Sequence, residues 1–396
     1  MKRRNTLHPA PQERRLRAKD RMMILSRRDR MGKAMPTWYR VLAAVLVLGA
    51  ALVLVNGARL KKLQNRSVKP EPLVSGTLRL AFTGELDLGG NVSRFGQSLG
   101  YDALFTGVAP LWQDASYVFS SLEGTVLPAD AAAYPAADTA EEPISIPAQA
   151  LEAAGRAGIN ALGLANDHSL DYGSRGLEAS VEAVRSLGLE YAGAGEDLPA
   201  AGMYKVLEAQ SMRIGFVACS AVNPNGPGPI DDYCLATTAY SELYRNVLLA
   251  EQETDYVVVY VCWGEPDSLL VSEAQRRVAH QLIQSGADLV IGSHPKLLQP
   301  VEQYQDGWIF YSLGSLVSDR DQRGERESVL VRLDLDPAAG TGAFTLIPLL
   351  LEDYSPSAVS RGFYLEQIRQ SLLRELPEGS YSVGKDGRIT IPLKSS

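Results

Sequence analysis

The sequence predicts an α/β fold whose strands are covered on both faces. Three observations point there. Short apolar runs alternate with stretches that carry helix caps. Several of the runs are continuous rather than alternating, as strands buried on both sides require. Five of them end in Glu, Asp, His or Cys, and in such folds ligands gather at the carboxyl ends of the strands. The composition is compatible with this. Of 396 residues, 45% are hydrophobic and 21% charged, which supports a large core and excludes global disorder. Three cysteines in so long a chain exclude a fold built on disulfides.

The net charge of -7 is unevenly spread. Residues 1–40 hold 13 Lys+Arg against 3 Asp+Glu, which leaves 26 against 43, or -17, for the rest. An acidic remainder excludes nucleic acid as a partner, because phosphate contacts need a basic face. From Val41 to Val55 no residue is polar or charged, and the stretch to Ala58 gives 18 residues, or roughly 27 Å of helix, close to the hydrocarbon thickness of a bilayer. Trp38 and Tyr39 suit an interfacial belt, and Arg40, Arg59, Lys61 and Lys62 flank the stretch. The expectation is a basic cytoplasmic tail (1–37), a single-pass membrane anchor (38–58), an extended linker (59–75) and a main domain outside the cell. A cleaved signal peptide is the rival reading. Against it stand the long basic region and the poor small-x-small exit at Val55-Asn56-Gly57-Ala58.

The domain begins near Thr77. Leu78, Leu80 and Phe82 alternate with Arg79, Ala81 and Thr83, a half-buried strand that runs into Gly84-Glu85-Leu86-Asp87. Tyr117-Val118-Phe119 leads to Ser121-Leu122-Glu123. A helix with Pro147 in its first turn closes at Gly158. The strand Ala161–Leu164 ends in Asn166-Asp167-His168, and the β-branched run Val257–Val261 ends in Cys262-Trp263-Gly264-Glu265. Ser272-Glu273-Ala274-Gln275 is a capping box that opens a helix, and Gly286 closes it. Leu289-Val290-Ile291 leads to Gly292-Ser293-His294-Pro295-Lys296, and Ile309-Phe310-Tyr311 to Ser312-Leu313-Gly314-Ser315. Beyond Leu351, an amphipathic helix is expected over Phe363–Leu376. A hairpin then turns at Lys385-Asp386-Gly387.

The segments TGELDL, SLEG, LANDHSLDYG, GAGEDLPAA, CWGE, GADLVIGSHPKLLQPVE and FYSLGS, in this order across residues 76–352, resemble bacterial capsule-synthesis proteins of the CapA type, also called poly-γ-glutamate biosynthesis proteins. The resemblance implies a metallophosphoesterase-like two-sheet sandwich flanked by helices, with residues 353–396 as an extension. It implies a two-metal centre (Mn, Mg, Zn or Fe) at the strand ends. It also implies an extracytoplasmic role in synthesis or export of an anionic polymer, beside other synthesis subunits.

The chain departs from the family pattern at the ligand positions. Glu85 stands where the family has Asp, Asp167 where it has Asn, Cys262 where it has His, Lys296 where it has His, and Ser315 where it has Asn. The resemblance assigns metal contact to Glu85, Glu123, Asp167, Cys262 and His294, catalytic roles to His168 and Asp167, and pocket positions to Lys296, Trp263 and Asn166; Asp87 shares a strand face with Glu85, so it too is expected to reach a metal. Read as residues alone, Glu85 and Asp87 are either ligands or solvated loop acids. Asp167 and His168 are either ligands or helix caps. Cys262 is either a thiolate ligand or a small buried hydrophobe. Asp171-Tyr172-Gly173 reads as loop architecture. Two functions remain open: an accessory subunit on a degenerate site, favoured by the substitutions, and an active metal-dependent hydrolase or transferase. An ammonium has no lone pair, so Lys296 is expected to pair with Glu85, Asp87 or Glu123 instead of binding a cation.

Overall fold

The structure is a computed structural model that describes residues 76–393 apart from 139, 141, 224–225, 230–231 and 321–323. The predicted tail, anchor and linker lie outside these residues. Among the described residues, no helix is long and apolar enough to cross a membrane.

Two sheets face each other. The first is built from β1 (Leu78–Asp87), β2 (Tyr117–Glu123), β3 (Ala161–Gly163) and β4 (Glu190–Ala192). The second takes β5 (Lys205–Ala209), β6 (Met212–Ser220), β7 (Tyr256–Cys262), β8 (Leu289–Ser293), β9 (Leu298–Tyr304) and β10 (Gly307–Leu313). The chain then returns to the first sheet with β11 (Ser315–Val317), β12 (Glu327–Asp336), β13 (Thr341–Glu352), β14 (Ser355–Ala358), β15 (Ser382–Val383) and β16 (Ile389–Leu393). The first sheet has the order β15-β16-β13-β12-β1-β2-β3-β4, with β11 pairing β1 and β14 pairing β13. The second has the order β9-β10-β8-β7-β6-β5. In each sheet the central strands are parallel, β1-β2-β3-β4 in one and β6-β7-β8-β10 in the other, so their carboxyl ends share one edge.

The core between the sheets follows from the alternation along the strands. Leu80, Phe82 and Phe119 of the first sheet meet Phe216, Tyr260, Ile291 and Phe310 of the second, all buried. Phe119 stacks on Phe82 with centroids 5.0 Å apart and meets Phe216 edge-on at 5.0 Å. Such aromatic pairs add a further ~0.5–1.5 kcal/mol each beyond their buried area. The outer faces are covered in turn. Helices α1 (Gly90–Leu99), α2 (Ala148–Arg156) and α3 (Gly173–Ser186) pack on the first sheet, and α4 (Ser241–Glu253) and α5 (Glu273–Gln284) on the second.

Local signals are realised with small shifts. Ser272 accepts from the Gln275 N–H while Gln275 reaches back to the Ser272 N–H, the complete capping box. Pro147 is the N-cap of α2 rather than its first helical residue. The strand from Ala161 stops at Gly163. β1 is buried on both faces, not half-buried: Arg79 is covered and held by Asp334 and Asp114. Beyond Leu351, helix α6 (Phe363–Leu373) turns Ile368, Leu372 and Leu373 inward, and β15 pairs antiparallel with β16. Ile389 and Ile391 enter the core between the sheets, so this extension is continuous with the domain.

Candidate metal-type site at the strand ends

Five strand ends deliver the site. β1 and β2 run parallel, with Glu85 opposite Ser121 and Asp87 opposite Glu123. β7 and β8 run parallel, with Cys262 opposite Ser293. The loop after β3 supplies Asn166, Asp167 and His168. Gly84 lets β1 come in close. A Cβ there would lie 1.8 Å from the Gly314 carbonyl oxygen, to which the Glu85 N–H donates at 3.1 Å. After β8 the backbone turns sharply. His294 has φ +90° and Lys296 φ +63°, conformations that non-glycine residues hold only at a cost and that cluster at functional sites.

That turn puts Lys296 inside. Its Nζ donates to Glu85 Oε2 and to Glu123 Oε1, and the His294 N–H donates to Glu85 Oε1. Lys296 is 6% exposed, Glu85 1% and Glu123 2%, so solvent cannot take over either charge. Next to them, Asp167 Oδ1 lies 3.2 Å from His294 Nδ1, without hydrogen-bond alignment, and accepts from Cys262 Sγ at 3.5 Å. His168 stands at the opening. Its Nδ1 is 2.8 Å from Asp171 Oδ2, and its Nε2 is 3.4 Å from Asp167 Oδ2 and 3.9 Å from Glu123 Oε1.

The electrostatics follow from burial against charge. Burial alone would discharge Lys296, but Glu123, Glu85 and Asp167 hold its ammonium well above the usual range. Burial would also lift Glu85, and the Lys296 charge outweighs it, so Glu85 stays below the usual range. Glu123 goes the other way. Burial lifts it, Lys296 opposes, and the adjacent Glu85 and Asp167 leave it well above the usual range. Asp167 is held low, because His294, Lys296 and His168 outweigh its burial. Burial works against a charge on His168, but Asp171 and Asp167 raise it. Burial, with Asp167 and Glu123 nearby, keeps the Cys262 thiol protonated.

The remaining expected site residues divide. Asp87 lines the cavity but not the lysine cluster. Its Oδ1 accepts from the Gly89 N–H at 3.0 Å, and burial pushes its carboxyl up to about 6. Asn166 is a brace: its amide donates to the Leu122 carbonyl, and its Oδ1 accepts from the His168 N–H and the Ser169 hydroxyl. Trp263 is not a pocket residue. Its indole donates to the Tyr311 carbonyl at 2.9 Å and packs with Val259 and Val261 under the helices of the second sheet. Asp171, read from sequence as loop architecture, orients the His168 ring and also accepts from the Ile144 N–H at 2.8 Å. Its position three residues after His168 was the available signal. The cavity of about 280 Å³ over this cluster also takes in Ser315, Ser318, Asp319 and Arg320.

The residues fit a pair of metal ions poorly and a single ion well. The Glu85–Glu123 half is filled by an ammonium that has no lone pair to offer. The other half offers Asp167, Cys262 and His294, with ligand atoms within 4.8 Å of one another, and the buried His294 Nδ1 has no hydrogen-bond partner. Glu123, Asp167 and His168 make an overlapping set.

The family model described as bacterial capsule synthesis protein PGA_cap matches residues 79–320. The chain belongs to the PGA_cap family. The match takes in every residue of the cluster from Glu85 to Lys296. Among curated relatives, the chain is 28% identical over 327 residues to the capsule biosynthesis protein CapA of Bacillus anthracis, covering 80% of this chain and 78% of that one. It is also 28% identical over 331 residues to the PGA biosynthesis protein CapA of Bacillus subtilis, covering 81% and 83%. Among solved structures, the calcineurin-like phosphoesterase YfkN from Bacillus subtilis aligns at a TM-score of 0.37 and 11% identity, over 72% of this chain and 88% of that one.

Proposed function

We propose that this PGA_cap chain is a membrane-anchored, extracytoplasmic accessory subunit in the synthesis or export of an anionic capsule polymer of the poly-γ-glutamate type. It works beside other synthesis subunits and without two-metal hydrolysis. The observation that carries the reading is Lys296, whose ammonium bonds both Glu85 and Glu123. In the family pattern an imidazole stands at that position and can ligate; here the carboxylates are already neutralised by the protein. In-line hydrolysis of a phosphoester by two ions needs both ion positions, ~4 Å apart. Support for the place of action comes from the basic excess before Val41–Ala58 and the acidic bulk after it. Support for the pathway comes from the names of the relatives. An acidic domain repels a polycarboxylate at long range, so the reading assigns the chain to contact with partner subunits rather than to a grip on the polymer.

One observation favours a second reading, a metal-dependent phosphoesterase-type hydrolase or transferase acting on a cell-envelope substrate. Asp167 belongs to two donor sets at once, and His168 is oriented beside it by Asp171 as an acid–base group would be. A divalent ion (Mn, Mg, Zn or Fe) would supply the water-activating charge. Complementation separates the two readings. In cells lacking this chain, the surface polymer, assayed as glutamate after acid hydrolysis, is expected to disappear. It should return with the wild type and also with His168→Ala. Failure of a normally abundant His168→Ala protein to restore polymer would favour the hydrolase.

A further inference from the structure

The half of the cluster that Lys296 leaves free carries an observation of its own. Three donors of different chemistry converge there: a carboxylate (Asp167), a thiol (Cys262) and an imidazole (His294). All three residues are buried, and His294 Nδ1 has no hydrogen-bond partner although it lies 3.2 Å from a carboxylate oxygen. A buried polar atom left unpaired is costly, and its presence asks for something that would pair it.

Two of the three separations can be set against an ion's geometry, and the third, between Cys262 and His294, lies within 4.8 Å. Around a tetrahedral zinc-type ion, bonds of about 2.3 Å to sulfur and about 2.0 Å to oxygen or nitrogen place sulfur and oxygen roughly 3.5 Å apart, and nitrogen and oxygen roughly 3.3 Å apart. The observed Cys262 Sγ to Asp167 Oδ1 distance is 3.5 Å and the His294 Nδ1 to Asp167 Oδ1 distance is 3.2 Å. The thiol donates a hydrogen bond across the first distance; across the second, the imidazole faces the carboxylate that it helps hold ionised, without hydrogen-bond alignment. We infer that Asp167, Cys262 and His294 form a mononuclear site for one soft, tetrahedral divalent ion of the zinc class, and that the Lys296 ammonium takes the place of any second ion. The inference rests on the reading of Lys296 given above and deepens it.

The chemistry of the donors sets the selectivity. Thiolate and imidazole favour zinc or cobalt, whereas magnesium and manganese prefer sites made of oxygen alone. On binding, the Cys262 S–H bond breaks, its proton leaves to solvent and a sulfur–metal bond forms, with no change of oxidation state. Asp167 and His294 contribute lone pairs. Three protein ligands would leave a fourth position to solvent; His168 Nε2 lies 3.4 Å from the other Asp167 oxygen. A second divalent ion ~4 Å away would meet the ammonium held by Glu85 and Glu123.

The test is titration of the metal-free full chain in detergent with cobalt(II), followed by absorption. The expected result is saturation at one equivalent, with the intense visible bands of tetrahedral cobalt and a thiolate-to-cobalt charge-transfer band in the near ultraviolet. Zinc should bleach both bands, and millimolar magnesium neither. Cys262→Ser should remove the charge-transfer band and weaken binding at least tenfold, while Cys234→Ser keeps the band. If Cys262→Ser does not fold, the charge-transfer band of the wild type, its loss on adding zinc and the one-to-one stoichiometry still decide. No saturable cobalt binding, or binding without a thiolate band, overturns the inference and leaves the accessory role standing. Two equivalents per wild-type chain together with phosphodiester hydrolysis overturns both.

Discussion

Replacing Lys296 with methionine keeps an unbranched side chain one atom shorter and removes its charge. Glu85 and Glu123 are then left side by side, at 1% and 2% exposure. Removing one partner of a buried ion pair costs ~3–5 kcal/mol, because the remaining charge has neither water nor counter-charge. Two carboxylates share this lysine, so we expect ~4 kcal/mol near neutral pH. For a domain of this size that corresponds to a drop in Tm of roughly 6 °C. The pH dependence fixes the cause. Glu85 is held below its ordinary 4.5, so its contribution is present above that range and is lost as pH falls. Lys296 is held above its ordinary 10.5, so its contribution is present below that value and fades only as pH rises past it. The gap between wild type and Lys296→Met should therefore be widest from about pH 6 to about pH 9 and narrow only as pH falls below about 4.5, where Glu85 begins to lose its charge; Glu123, held above the usual range, takes up its proton at higher pH than Glu85. Thermal unfolding followed by circular dichroism across this range measures it. Adding Glu123→Gln should recover at least half of the loss. A Lys296→Met protein within 1 °C of wild type at about pH 7.5, or an offset that does not change with pH, would refute the account of the triad.

Three further outcomes are expected. Gly84→Ala drives a methyl into the Gly314 carbonyl, so β1 or β11 must move; a loss of at least ~2 kcal/mol is expected by denaturant titration, together with weaker metal binding, and a wild-type midpoint would contradict it. Asp288 accepts from the Val257 N–H, and burial pushes its carboxyl up to about 6 from the ordinary 3.8, so ionising it costs the folded state up to ~3 kcal/mol above pH 6; Asp288→Asn should raise Tm near pH 7.5 and not at pH 4, and equal shifts at both would remove the burial explanation. Protease added to intact protoplasts should digest the domain, as the charge asymmetry around Val41–Ala58 predicts, and full protection would reverse the topology.

The strands, the capping box and the gathering of Glu85, Glu123, Asp167, His168, Cys262 and His294 were legible because they depend on local pattern and on strand ends sharing an edge. Trp263 was misplaced although its signal was present. Val257, Val259, Val261 and Trp263 form one face of an extended run and share the outer core, whereas Val258, Tyr260 and Cys262 face the other way. Treating the run as uniformly buried hid that alternation. That Lys296 bonds an acid was foreseeable from its charge. Its choice of Glu85 and Glu123 over Asp87 was not, because it depends on the positive φ at His294 and Lys296, which turns the chain inward. The part played by Asp171 was equally hidden, since the same residue type in a turn serves most often as a backbone brace.

The most direct measurement is elemental analysis of the purified full chain, run beside hydrolysis of bis(p-nitrophenyl) phosphate. With Lys296 in the Glu85–Glu123 position, no more than one divalent ion per chain and no turnover above background are expected. Lys296→His should bind a second ion. Two tightly held ions in the wild type, with turnover abolished by His294→Ala, would contradict this role of Lys296.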